Sequence, residues 1–265
     1  MRNILAIAIA VLLTTASYAQ KDKDVPAFGK VEKADLDMKE CDFDKYAEAV
    51  VLFDVAELYG NLSTYFSIDL ERHVRIKILN DKGLGNADIK LRYIGAKGEE
   101  SIKNLQAQTY NLDASGNVVV SKVEKKLIYE KKITKTDYEQ IFTFPEVKAG
   151  SILEYKYTHT NIGLLHWYFQ EDIPVKYSRY TIDFPREIEI YATPMCALPY
   201  DTKKDSKGNR EIQTYTMKQV PALRDEPYIS CNRDYLQRIE TRIRAYNFPD
   251  RPRENRVFKI GRAHV

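Results

Sequence analysis

The stretch Phe66-Ser67-Ile68-Asp69-Leu70-Glu71-Arg72-His73-Val74-Arg75-Ile76-Lys77-Ile78 decides the fold. Phe66, Ile68, Leu70, Val74, Ile76 and Ile78 fall on alternate positions, with Asp69, Glu71, His73, Arg75 and Lys77 between them. Successive side chains of a strand point to opposite faces, so this spacing puts six apolar groups on one side of a sheet and predicts the charged ones in water. On that reading His73 is an exposed histidine rather than a ligand.

Working outward, Ala47 to Tyr59 carries the run Val50-Val51-Leu52-Phe53, which predicts a buried strand. Turn chemistry follows the deciding stretch at Asn80-Asp81-Lys82-Gly83 and recurs at Asp113 to Asn117, Lys148-Ala149-Gly150 and Asp205 to Asn209. Leu105 to Tyr110 and Val118-Val119-Val120 flank the second turn as a hairpin. Tyr138, Gln140, Phe142 and Phe144 precede the third, and Ile152, Leu153, Tyr155 and Tyr157 follow it. Further strands fit Tyr177 to Phe184, Ile188 to Ala192 and Ile212 to Met217, while Asp88 to Tyr93 is read as a short helix. Many strands joined by short polar turns predict an all-β, antiparallel β-sandwich-like domain over residues 47–246. Residues 20–46 are expected as a lead-in or tether, irregular apart from a short helix within Asp35 to Asp44, and residues 247–259 as the start of a linker.

The two ends read differently from the middle. Met1-Arg2-Asn3, the apolar run Ile4 to Leu13 and the small residues up to Ala19 form the three regions of a secretory signal, with cleavage expected after Ala19. The apolar run is too short to span a bilayer, which needs about 20 helical residues. The mature chain is therefore expected in the periplasm or at the cell surface, without stable membrane insertion. At the other end, Ile260-Gly261-Arg262-Ala263-His264-Val265 matches the translation of a widely used sequencing-library adapter. The natural sequence is accordingly expected to stop being readable near Lys259, and His264 receives no role.

Composition is globular: 44% hydrophobic and 30% charged, with 41 basic against 38 acidic residues. A net charge of +3 is too small to imply nucleic acid. The lysine-rich segment from Lys122 to Lys135 is read as an exposed strand whose charges discourage edge-to-edge pairing. Nineteen tyrosines against one tryptophan suit half-buried pleated surfaces.

No catalytic constellation stands out. His159 and His166 match no metal spacing, and no metal or other cofactor is expected. Cys41, Cys196 and Cys231 lack the helix-opening context that activates a thiol, and Cys196 with Cys231 is the candidate disulfide. There is no Gly-x-Ser-x-Gly elbow and no phosphate-binding loop. Glu171 and Asp172 are adjacent, so on a strand they would face opposite ways. Trp167, Tyr168 and Phe169 are the candidate binding residues, since aromatic faces stack on sugars or pack against a peptide; core packing is the competing fate.

Five segments taken in order carry a resemblance: Arg72 to Leu79, Thr109-Tyr110-Asn111-Leu112, Phe144 to Tyr155, Trp167-Tyr168-Phe169-Gln170 and Val220 to Pro227. Together they resemble domain of unknown function 3857, the β-rich domain that precedes transglutaminase-like domains in secreted proteins of Gram-negative bacteria. The resemblance covers roughly Phe28 to Tyr246. It implies an all-β domain without catalytic residues, followed by a papain-like Cys-His-Asp domain acting as a protease or amidase. The expected function is therefore a non-catalytic β-module, cut off before its enzyme domain, with that domain as partner. A stand-alone module binding a surface glycan or peptide is the second expectation, and an enzyme within these residues the third.

Overall fold

A computed structural model of the chain describes residues 25–62, 66–95, 99–224, 236–249 and 252–258. The signal-like start and the adapter-like end fall outside the described residues. Strands β1 (Ala49–Leu62) and β2 (Phe66–Ile78) pair antiparallel along nearly their whole lengths. The chain continues through β3 (Asp88–Ile94), β4 (Ser101–Leu112), β5 (Val118–Lys122), β6 (Tyr129–Lys132), β7 (Asp137–Thr143) and β8 (Ile152–Thr160). The short β9 (Trp167–Tyr168) leads into β10 (Val175–Pro185), β11 (Ile188–Met195), β12 (Asp201–Lys207), β13 (Arg210–Val220), β14 (Arg238–Tyr246) and β15 (Arg256–Val257).

The all-β reading holds. One large sheet has the order β12-β13-β10-β1-β2-β8-β4-β5, and two smaller sheets, β3-β7-β6 and β11-β14-β15 with β9 on β14, complete the fold. Antiparallel pairing dominates, but β1 and β10 run parallel, with Val51 opposite Val175 and Tyr59 opposite Asp183. The two strands flanking the Lys148-Ala149-Gly150 turn do not pair with each other: β7 belongs to a small sheet and β8 to the large one. Gly150 makes that change of layer feasible, because its φ of 90° is a conformation that side chains resist. Asp88 to Tyr93, read as a helix, is instead β3. Leu91 and Tyr93 are buried while their neighbours are exposed, which is period two rather than 3.6.

The main core lies between the large sheet and the two small ones. Phe142 of β7 meets Tyr155 of β8 edge-on at 6.2 Å, and Trp167 of β9 stacks on Tyr180 of β10 at 5.3 Å. Gly60 is a point of close approach here: a Cβ added to it would lie 2.6 Å from the Phe184 ring, and Phe184 is buried. Gly60→Ala is expected to cost about 1–3 kcal/mol by overpacking. It should appear as a lower urea midpoint at unchanged slope, and an unchanged midpoint would show that the ring can yield.

The outer face of the large sheet is not left to water. A bulge between Val51 and Phe53 lets Val50, Leu52, Phe53 and Val55 of β1 contribute to a second hydrophobic cluster with Tyr110, Ile152 and Tyr177. Leu36 and Cys41 of the lead-in are buried in this cluster, and Val25, Val31, Met38 and Phe43 pack against it. The lead-in contains helix α1 (Lys33–Asp37), which is shorter and earlier than the expected Asp35 to Asp44 because Met38 already turns to an extended ψ of 126°. From Val25 onward the segment is thus a cover on the sheet.

Candidate functional site

Beneath that cover the charged side of β2 was expected in water, and its C-terminal half is buried instead. Arg75 and Lys77 are both 0% exposed, and His73 is half-buried. The partner that makes this tolerable is Glu154, near the start of β8 and itself fully buried. Its Oε1 accepts from Arg75 Nη2 at 2.7 Å and lies 2.9 Å from His73 Nε2. Its Oε2 accepts from the Gly29 amide at 3.0 Å and from the Tyr110 hydroxyl. Burial pushes the Glu154 carboxyl up, but His73, Arg75, Tyr110 and the Gly29 amide outweigh it and hold the group down at about 2. Burial and the Glu154 charge both push the Tyr110 phenol upward.

The same groups fasten the lead-in to the sheet. Arg75 Nη2 also donates to the Lys30 carbonyl at 2.8 Å, and its Nη1 lies 3.6 Å from Asp35 Oδ2. Lys77 Nζ donates to the Leu36 carbonyl at 2.6 Å and to the Gly150 carbonyl at 2.7 Å. Burial and Lys39 pull the Lys77 ammonium down to about 8, with Asp35 and Asp37 opposing. Phe28 and Phe53 bracket His73 at ring separations of 5.7 and 4.8 Å.

Beside this cluster lies a groove of about 730 Å³, walled by Val25 to Ala27 and by the β4 segment Asn104 to Gln106. Asn104 holds a positive φ of 55° where β4 bulges against β8. The floor carries Glu57 and Glu71, which sit directly opposite one another on β1 and β2, together with Arg179 and Lys156. Glu57 is exposed, and partial desolvation at the groove floor, then Asp183 and Glu71, raise its carboxyl, with Arg179 opposing. Such a lining offers donors and acceptors for a polar ligand.

The residues singled out from sequence lie elsewhere. Trp167 and Phe169 are 6% and 0% exposed, and Tyr168 is intermediate. Trp167 stacks on Tyr180, donates from Nε1 to Ser178 Oγ at 3.1 Å and carries the Arg72 guanidinium 5.2 Å from its ring centre. The aromatic face proposed for stacking is therefore spent in the core. Arg72 is the one charged residue on the apolar face of β2: it grips buried Asp54 through both Nε and Nη2, at 2.8 and 2.6 Å, and reaches Glu171 at 3.1 Å. Cys196 donates its thiol to the Arg238 carbonyl at 3.4 Å, while Cys231 lies outside the described residues. Burial raises the thiols of both Cys41 and Cys196, the opposite of activation. His159 is buried 2.9 Å from Glu100, and His166 is exposed. Among the described residues no three His, Cys, Asp or Glu side chains assemble as a metal site would require.

Glu154 and Tyr110 escaped sequence reasoning because their partners are distant in the chain. One local signal did exist: β1 is apolar on both faces, as Val50 to Phe53 shows, so the outer face had to be covered there.

One solved structure shares this architecture. The structure superposes on a "putative protease" from Parabacteroides distasonis with a TM-score of 0.63 at 14% identity, over 76% of this chain and 41% of that one. The chain thus spans well under half of that protein. A zinc metallopeptidase of Deinococcus radiodurans matches at a TM-score of 0.35 and 10% identity, over 74% of this chain and 42% of that one. No curated protein matches in sequence. The family model for DUF3857, a "Domain of Unknown Function with solved-structure structure", matches residues 66–224, which hold β2 and Glu154 and most of the large sheet. On that match, covering more than half of its length, the chain belongs to the DUF3857 family.

Proposed function

We propose that this chain is the non-catalytic β-module of an exported protein whose complete form continues into a transglutaminase-like, papain-type hydrolase domain, against which the module packs. The observation that carries the reading is the likeness of this fold to 41% of a longer chain described as a protease. The chemistry within the described residues supports it, because buried Glu154 is committed to Arg75, buried Asp54 to Arg72 and the half-buried Cys196 thiol to a backbone carbonyl. Burial of Trp167 and Phe169 weighs against the second reading, a glycan- or peptide-binding module built on them. The test is to read the gene past the codon for Lys259. An open frame continuing into a Cys, His and Asp set is the expected result, and an early stop codon overturns the proposal.

A further inference from the structure

Six of the exposed large hydrophobic side chains fall within residues 118–133: Val118, Val119, Val120, Leu127, Tyr129 and Ile133, at 40–62% exposure. This stretch contains β5, the terminal strand of the large sheet, and β6, the terminal strand of the β3-β7-β6 sheet. Among the described residues, one short segment therefore forms an unpaired edge of both layers. At the far edge of the large sheet, β12 carries Asp201-Thr202-Lys203-Lys204-Asp205-Ser206-Lys207, all exposed, which is the usual protection of an edge by charge. By contrast β5 presents three consecutive valines, among the best strand formers.

The backbone of β5 has a definite outward side. Asp113 N donates to the Asn117 carbonyl and Val123 N to the Ala107 carbonyl, at 3.0 and 2.9 Å. In an antiparallel ladder the bonded pairs alternate, so Val119 and Ser121 turn their N–H and C=O groups to β4. Val118, Val120 and Lys122 turn theirs away from it. Within residues 122–135, from the end of β5 through β6, stand Lys122, Lys125, Lys126, Lys131, Lys132 and Lys135 against Glu124 and Glu130, and all eight are exposed.

We propose that the β5 edge is a strand-addition site for an acidic, extended polypeptide segment. Alternating outward donors and acceptors fit a partner carrying both at strand spacing, which is a peptide backbone rather than a lipid or a nucleic acid phosphate. The lysine excess sets the charge of that partner, and the valines give it an apolar strip to cover.

The probe is a short synthetic peptide alternating valine with glutamate, added to the full chain, with a valine–lysine peptide as its counterpart. The acidic peptide is expected to slow amide exchange at Val118, Val120 and Lys122, with binding that weakens as salt rises. Val120→Pro removes one outward donor while leaving the β4 bonds in place, and should weaken binding about tenfold with the thermal midpoint little changed. Where Val120→Pro disturbs folding, the triple charge reversal Lys122→Glu, Lys125→Glu and Lys126→Glu replaces it and should abolish acidic-peptide binding. Equal binding of the lysine peptide, protection elsewhere than β5, or β5 protection by self-association without peptide would each overturn the proposal.

Discussion

Replacing Glu154 with glutamine is expected to lower the unfolding free energy by about 3–5 kcal/mol, the usual cost of breaking a buried ion pair from one side. Glutamine keeps the shape but removes the nearer of the two carboxylates beside Arg75, which is 0% exposed and is left with Asp35 at 3.6 Å. It also forces an amide nitrogen onto one of the two positions where Glu154 now accepts hydrogen bonds, from Arg75 and His73 on one oxygen and from Gly29 and Tyr110 on the other. The pH dependence supplies an independent signature. Glu154 is held at about 2 in the folded chain, below the roughly 4.3 of an unfolded glutamate. A depressed carboxylate contributes stability that is complete above the unfolded value and disappears as pH falls through the folded one. The wild-type chain should thus lose this contribution between about pH 4.5 and pH 2, and the glutamine variant should lack that component. Urea unfolding of both chains at neutral and acid pH measures each part. Coincident unfolding curves at pH 7 would mean the cluster is not the clasp described.

Much of this fold is written in local pattern. The alternation from Phe66 to Ile78, the Asp113 to Asn117 hairpin and the strands after Tyr177 all appear where their spacing puts them. Pairing was legible only where a short turn joins the partners. The parallel contact of β1 with β10 brings together residues more than a hundred positions apart, and no turn advertises it. The site was harder still. Alternation tells which side chains share a face, but it is silent on what lies above that face. Arg75 and Lys77 read as solvated because charge normally means water, and the carbonyls of Lys30 and Leu36 that receive them have no sequence signature at all. Trp167 shows the reverse case: large aromatics are what a core wants first, and the candidate binding surface became interior.

Starting the chain at Lys45, without the lead-in, is expected to remove more than about 5 kcal/mol, a loss comparable to the whole stability of many domains. Leu36 and Cys41 leave the outer cluster together with the flanking Val25, Val31, Met38 and Phe43, and Leu52, Phe53, Val55, Tyr110 and Ile152 lose their cover. At about 1.5–3 kcal/mol for each large side chain returned to water, two or three such losses already reach that figure. The polar groups act in both directions. Arg75 loses the Lys30 carbonyl, Lys77 the Leu36 carbonyl and Glu154 the Gly29 amide, yet all three regain access to water, which offsets part of their cost. The apolar term should decide the outcome, because hydration cannot repair it. Leu36→Ala in the full chain isolates a share of that term and should cost about 2–5 kcal/mol. A peptide of residues 25–44 added in trans should raise the melting temperature of the shortened chain in proportion to its occupancy. Identical urea midpoints for the full and shortened chains would make the lead-in the tether its sequence suggests. A lower midpoint that the peptide restores identifies it as a structural layer of the domain, held by the buried carboxylate near the start of β8.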